Sequence, residues 1–308
     1  MNRRAFASPR HRISGFPFRG SSSLSLKAPA KINWFLKVIG KRADGYHDIA
    51  SLMQCINLYD NLLFELSDTI EVVSNSDITL EDNLVYRAAC LLKEYSSCKQ
   101  GAKIVLQKDI PIGAGLGGGS SDAAHALLGL NKLWGLGLNK KELSLLGTGL
   151  GSDVPFFFDA PFALVEGRGE KVTKYSLDSP VVLLLVMPPF SVSTPWCYAS
   201  FDKLSTGELT KKTIDIKLFC RTLRSRDFAS LCSMLSNDLE KVIVESYPVV
   251  GEIKNRLLEE GAAVSAMSGS GPAVFGVFKS KKVAISAARA IDSDRSLIDW
   301  YRVVRTLI

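Results

Sequence analysis

Pro111–Ala124 reads PIGAGLGGGSSDAA, and five glycines fall between Pro111 and Ser120. A predicted strand, Lys103–Asp109 (KIVLQKD), leads into it, and Ser120-Ser121 opens a predicted helix, Ser120–Trp134. Ala123, Ala126, Leu127, Leu130, Leu133 and Trp134 form one apolar stripe at helical spacing. Glycine lets the backbone turn through positive φ and lets a ligand approach the main chain closely. The free N–H groups of a helix start, with its dipole, make an anion site. A nucleotide phosphate is the natural occupant. A flexible linker would not set five glycines against so regular a helix face.

Two familiar phosphate grips do not fit. Gly113, Gly115 and Gly118 satisfy GxGxxG, but Pro111-Ile112 separates them from the strand, and they lie far into the chain. The acid at the distance a dinucleotide fold requires is Glu142, in a helical stretch rather than at a strand end. A Walker A loop needs Gly-Lys-Ser/Thr, and no lysine lies between Lys108 and Lys132.

Outward from the loop, strands and helices intermix without a βαβ rhythm, which predicts an α+β fold. From Lys31 the chain alternates, with Ile32, Trp34, Leu36 and Val38 on one face and Asn33, Phe35, Lys37 and Ile39 on the other. Asn83–Tyr95 is helical in pattern, Ala163–Tyr175 a hairpin turning at Gly167–Gly169, and Val181–Met187 a buried strand. Helical stretches around 214–235 and 246–260 precede a strand at Ala273–Phe278 and a helix at Lys282–Ile291.

The loop resembles the phosphate-binding motif of the GHMP kinases, Pro-x-(Gly/Ala)-x-Gly-Leu-Gly-(Ser/Gly)-(Ser/Gly)-Ser. Three further segments resemble one branch of that family, whose acceptor alcohol carries a cytidine diphosphate. They are Ala28–Asp48 (APAKINWFLKVIGKRADGYHD), Gly151–Pro155 (GSDVP) and Ser265–Phe275 (SAMSGSGPAVF). The resemblance implies a two-domain GHMP kinase fold. A ribosomal-protein-S5-domain-2-like half at 27–175 would carry ATP, and a ferredoxin-like half at 176–308 would close the cleft.

It also implies roles. Asp153 would accept the proton of the attacking hydroxyl, with Lys31 beside it holding charge and geometry. Pro111, Gly113, Ala114, Gly115, Leu116, Gly117, Gly118, Gly119, Ser120 and Ser121 would cradle ATP, and Asn83 in DNLVYRAA would line the adenine pocket. Asn33, Tyr46, His47, Thr194 and Tyr198 would bind substrate, with Tyr46 and Tyr198 as two sides of an aromatic clamp on cytosine. Gly269, Ser270 and Gly271 would form a cleft-closing loop. The implied co-substrate is ATP with Mg²⁺, and the implied acceptor is a cytidine diphosphate-linked methylerythritol. Taken singly, each residue has a plainer explanation: Asp153 as a turn aspartate, Asn33 as a strand amide, Asn83 as a helix cap. Asp122 and His125, three apart, read as a surface pair. Two other functions stay open at this stage: a GHMP kinase for another small alcohol, and a non-catalytic nucleotide-sensing relative.

Composition narrows the partners. The 308 residues are 46% hydrophobic and 22% charged, enough for a sizeable core. The net charge of +7 sits almost wholly in residues 1–27, where Arg3, Arg4, Arg10, Arg12, Arg19 and Lys27 meet no acid, leaving +1 for residues 28–308. A nucleic-acid surface is therefore not expected on the body, nor a membrane partner. A monomer or homodimer is expected. Residues 1–26 read as a disordered tail, an organelle transit peptide, or sequence ahead of a later start. The expected location is the bacterial cytoplasm, or the plastid stroma if the leader is a transit peptide. Six cysteines without a CxxC pair read as scattered buried thiols, and no cluster has metal-ligand spacing.

Overall fold

The computed structural model describes residues 23–159, 161–204, 214–292 and 297–308. Most of the expected leader therefore lies outside the described residues. Leu24–Leu26 already belong to the first strand.

In chain order the first half runs β1 (Leu24–Lys41), β2 (His47–Ser67), β3 (Ile70–Ser74), α1 (Leu84–Ser96), β4 (Gly101–Gln107), α2 (Gly118–Leu133), α3 (Lys140–Thr148), α4 (Phe156–Asp159), β5 (Phe162–Gly167) and β6 (Lys171–Lys174). The second runs β7 (Val182–Met187), α5 (Thr194–Leu204), α6 (Ile216–Ser225), α7 (Phe228–Met234), β8 (Ser236–Asn237), α8 (Asp238–Ser246), α9 (Val249–Glu259), β9 (Val264–Met267), β10 (Val274–Phe278), α10 (Lys281–Asp292) and β11 (Trp300–Arg305).

The first sheet has the order β3-β4-β2-β1-β8, with β5 also on β2 and β6 on β5. Its centre is β2, a 21-residue strand that sequence patterning did not single out; the helix α5 was likewise not foreseen. Both faces of β2 are covered. Leu62 and Phe64 pack with Ala88, Leu92, Ala126 and Leu127 of α1 and α2. Leu52 and Ile56 join β1 in a core shared with Leu183, Leu185 and Phe275 of the second sheet. A strand buried on both sides loses the alternation that marks a half-exposed one. Helix α2 approaches β2 so closely that a Cβ on Gly129 would stand 2.6 Å from the Phe64 ring.

Strand β1 is also less regular than its alternation suggested. Its register against β2 slips between Asn33 and Phe35, placing Trp34 at a bulge. Bulges re-aim side chains next to functional sites. Here Lys31, Asn33, Trp34 and Phe35 are all buried, although they fall on both predicted faces.

The second sheet has the order β11-β7-β10-β9, antiparallel throughout. Numbered within this half, that is the 4-1-3-2 arrangement of a ferredoxin-like unit, with α5 to α8 inserted in its first crossover. Backbone pairing joins the halves at several places. Strand β8 pairs in parallel with Phe35 and Leu36 of β1, and the chain end returns, with Leu307 N–H donating to the Cys55 carbonyl at 2.8 Å. Of the six free cysteines, Cys232 is exposed, so not all are buried thiols. No helix among the described residues is long and apolar enough to cross a membrane.

Candidate active site

The glycine loop joins β4 to α2, and the helix begins at Gly118, two residues earlier than predicted. Glycine is required there: a Cβ on Gly118 would meet Ile110 Cγ2 at 2.9 Å and Lys108 Nζ at 3.2 Å. Gly117 caps the helix at φ 70 without a side-chain hydrogen bond, and no acid occupies the first turn. The first N–H groups are thus left for an anion. One residue of the expected set lies apart. Ser121, predicted to touch ATP, faces inward, is fully buried and does not line the cavity, whereas the other loop residues do.

All the motifs meet at one atom, Lys31 Nζ. It donates to Asn33 Oδ1 at 2.6 Å and to the Gly115 carbonyl at 2.9 Å, and it faces Asp153 Oδ2 at 3.4 Å. Three acceptors match the three N–H bonds of an ammonium. The strand is tied to the loop as well, since the Lys31 N–H donates to the Leu116 carbonyl at 2.9 Å. From the third motif, Ser268 Oγ donates to the Gly115 carbonyl at 3.1 Å and accepts from the Asn33 N–H at 3.3 Å. A Cβ on Gly269 would lie 3.1 Å from Lys31 Nζ. Ser268 was not foreseen, because a lone serine beside a Gly-Ser-Gly turn carries no signal of its own.

The surrounding cavity measures about 820 Å³, within the usual range of small-ligand pockets. Lys31 and Asp153 line it, as do Asn33, Tyr46, His47, Asn83, Thr194, Tyr198, Gly269 and Ser270. Asn33 supports Lys31: its Oδ1 takes the ammonium and its Nδ2 donates to Ser51 Oγ at 2.8 Å. Asn83 is both cap and wall, with Oδ1 accepting from the Val85 N–H at 2.9 Å at the start of α1. Thr194 Oγ1 and Ser270 Oγ lie 2.8 Å apart, joining α5 to the third motif. Gly271 is not among the lining residues, but its N–H donates to the Ser268 carbonyl at 2.9 Å and shapes that loop.

The aromatic residues are arranged differently from a simple two-sided clamp. Tyr198 stacks on His47, with centroids 4.9 Å apart and planes 25° apart. Tyr46 is half-exposed at the rim with the Arg168 guanidinium 4.2 Å from its ring centroid. Burial, with the nearby Asp153 charge, pushes the Tyr198 phenol well above its ordinary range. Arg168 sits at the β5–β6 turn, which is pressed against the Asp153 turn: a Cβ on Gly169 would overlap the Ser152 carbonyl oxygen at 1.9 Å.

Beneath the loop lies a buried triad that sequence reading missed. Lys108 Nζ bridges Asp60 Oδ2 at 2.5 Å and Asp122 Oδ2 at 2.6 Å. Asp122 is therefore no surface partner of His125, whose Nδ1 bonds the Ser121 carbonyl instead. Burial, assisted by the Asp60 charge and opposed by Lys108, pushes the Asp122 carboxyl up to about 7. The folded state then holds a proton that the unfolded chain, with its ordinary value of 3.8, releases. That contribution to stability is complete below the unfolded value and is lost as pH rises from about 4 to about 7. Urea midpoints of wild type and Asp122→Asn across this window are expected to diverge, with the wild type falling more steeply. Parallel curves would refute the assignment.

Comparison with known proteins identifies the family. The family described as "GHMP kinases N terminal domain" matches residues 83–167, and "GHMP kinases C terminal" matches residues 216–295. A 4-diphosphocytidyl-2-C-methyl-D-erythritol kinase of Thermodesulfovibrio yellowstonii is 46% identical over 287 residues, 92% of this chain and 98% of the relative. Its counterpart in Geobacter metallireducens is 46% identical over 291 residues, 93% of this chain and 99% of the relative. A solved crystal structure of 4-(cytidine 5'-diphospho)-2C-methyl-D-erythritol kinase superposes with a TM-score of 0.78 at 32% identity, covering 92% of this chain and 99% of that one.

Proposed function

Because the chain belongs to the 4-diphosphocytidyl-2-C-methyl-D-erythritol kinase family of the GHMP kinases, it is an ATP-dependent kinase, and we propose that Asp153 and Lys31 perform its chemistry. The acceptor is the 2-hydroxyl of 4-(cytidine 5′-diphospho)-2-C-methyl-D-erythritol, in the non-mevalonate route to isoprenoid precursors. The observation that carries the assignment of roles is the convergence on Lys31 Nζ of Asp153 and the Gly115 carbonyl.

The ATP phosphates lie over the start of α2 and its uncapped N–H groups, with adenine toward Asn83. The acceptor enters on the Asp153 side. Its hydroxyl oxygen bonds to the γ-phosphorus as the bond to the β–γ bridging oxygen breaks, and ADP leaves. The hydroxyl proton passes to an Asp153 carboxylate oxygen. The Lys31 ammonium, held by Asn33 and Gly115, stabilises negative charge gathering on the attacking oxygen. Positioning and charge supply most of the acceleration in such transfers. Tyr46, His47 and Tyr198 hold the cytidine end, and Gly269–Gly271 with Thr194 close the cleft over it.

Mg²⁺ suits the donors here. The Ser120 hydroxyl faces Gly151 at the head of the Asp153 turn, and both it and the Asp153 carboxylate are oxygens a hard cation accepts. Bound with ATP, the ion would neutralise phosphate charge. Among the described residues no group of three or more His, Cys, Asp or Glu could hold a metal, so phosphates and water would supply most of its ligands.

A coupled ADP-release assay against a panel of acceptor alcohols tests this reading. Turnover is expected only with the cytidine-bearing acceptor, and CMP is expected to compete with that acceptor but not with ATP. Comparable turnover on an alcohol without a base, or no effect of high CMP, would favour a kinase for another small alcohol.

A further inference from the structure

Helix α5 presents Thr194, Tyr198 and Asp202 at successive i, i+4 positions, so they share one face, and all three line the cavity. Two of them act on His47. Tyr198 stacks on the imidazole, and Asp202 Oδ1 lies 2.7 Å from His47 Nε2. The other carboxylate oxygen, Oδ2, accepts from Lys41 Nζ at 2.7 Å. The His47 side chain is only 7% exposed, so its ring is held on its face by Tyr198 and on its edge by Asp202.

Burial pushes the Asp202 carboxyl up, but hydrogen bonds from Lys41 and His47 outweigh it and hold the group below the usual carboxylate range. An ionised carboxylate only accepts, so the hydrogen lies on Nε2, and in the neutral imidazole Nδ1 is the acceptor. Such a ring complements a base edge that presents an amino group and opposes one that presents a carbonyl. Cytosine carries an exocyclic amino group where uracil carries a carbonyl.

We infer that Asp202 is a positioning residue which, by fixing the orientation and tautomer of His47, makes the site favour a cytosine over a uracil base. The inference rests on the reading that His47 meets the base of the acceptor. It gives α5 a stated purpose: one helix face supplies the stacking ring, the carboxylate that orients the imidazole, and the threonine that reaches the closing loop.

Steady-state kinetics of Asp202→Ala, Asp202→Asn, His47→Ala and the Asp202→Ala/His47→Ala pair test it. Loss of a charged hydrogen-bond partner is expected to raise the acceptor KM about tenfold in Asp202→Ala. The kcat at saturating acceptor and the KM for ATP are expected to stay within about twofold. The preference for CMP over UMP as inhibitor should shrink in Asp202→Ala. It should recover in part in Asp202→Asn, whose amide oxygen still accepts from Nε2. Added to His47→Ala, the Asp202 substitution should cost nothing further, because the residue acts through the missing ring. An equal cost in both backgrounds, or an unmoved CMP/UMP preference in Asp202→Ala, would overturn the inference while leaving cytosine recognition standing. Wild-type CMP inhibition in both His47→Ala and Tyr46→Ala would instead sink the cytosine reading, and the inference with it.

Discussion

Asp153→Asn is expected to lower kcat by about 10³-fold, within the range of about 10² to 10⁴ for a positioned general base. The substitution is nearly isosteric. An asparagine oxygen can still face Lys31 Nζ, now 3.4 Å from the carboxylate, and the turn before Pro155 has no reason to move. What disappears is the proton acceptor and one negative charge. The KM for the acceptor is therefore expected to change little, since Asp153 does not grip the cytidine end. Rapid-quench measurement of a single turnover isolates the chemical step. Wild-type turnover in the variant would remove Asp153 from the role of base, and a loss confined to KM would make it a binding residue.

Gly115→Ala is expected to reduce kcat/KM by at least about 100-fold, the cost of displacing catalytic geometry by about an ångström. The reason is backbone against backbone. A Cβ on Gly115 would lie 2.2 Å from the Ser268 carbonyl oxygen and 2.9 Å from the Gly271 nitrogen. Its φ of +76 is itself strained for any residue with a side chain. Neither neighbour can swing aside as a flexible side chain would. The loop or the third motif must shift, and the Gly115 carbonyl moves with it, away from Lys31 Nζ and Ser268 Oγ. Gly149→Ala is the matched control: its φ of −73 is ordinary, and its nearest contact is 3.5 Å away. Circular dichroism and thermal midpoints of the two variants separate lost fold from lost geometry. Near-native activity in Gly115→Ala would mean that the two loops need not stay in contact during turnover.

Much of this site was legible in local sequence. Five glycines before an apolar helical stripe announce an anion cradle, because the backbone freedom of glycine and the open N–H groups of a helix start are local properties. The Asn83 cap, the β5–β6 hairpin and the buried β7 strand follow from equally short-range rules. Strand β2 was hidden by its own burial: covered by helices on one side and the second sheet on the other, it loses the alternation that would mark it. Asp122 was misread for a related reason. Its spacing from His125 resembles a surface pair, and nothing in that window shows Lys108 and Asp60 waiting beneath the helix. Ser121 is fully buried and does not line the cavity, which no rule of a short window reports.

By itself, then, the sequence pointed to a glycine loop suited to phosphate, to the mixing of helices and strands, and to the confinement of positive charge to residues 1–27. Only the tertiary structure decided which residues meet. Lys31 reaches a carbonyl 84 positions away, and its neighbour Asn33 reaches a serine 235 positions away. His47 is held by a carboxylate 155 positions away. The periodicities and caps of a short window report which face is buried and where an element ends. The pairing of distant side chains is set by how two sheets close on one core, through bulges, register and the close approach of glycines.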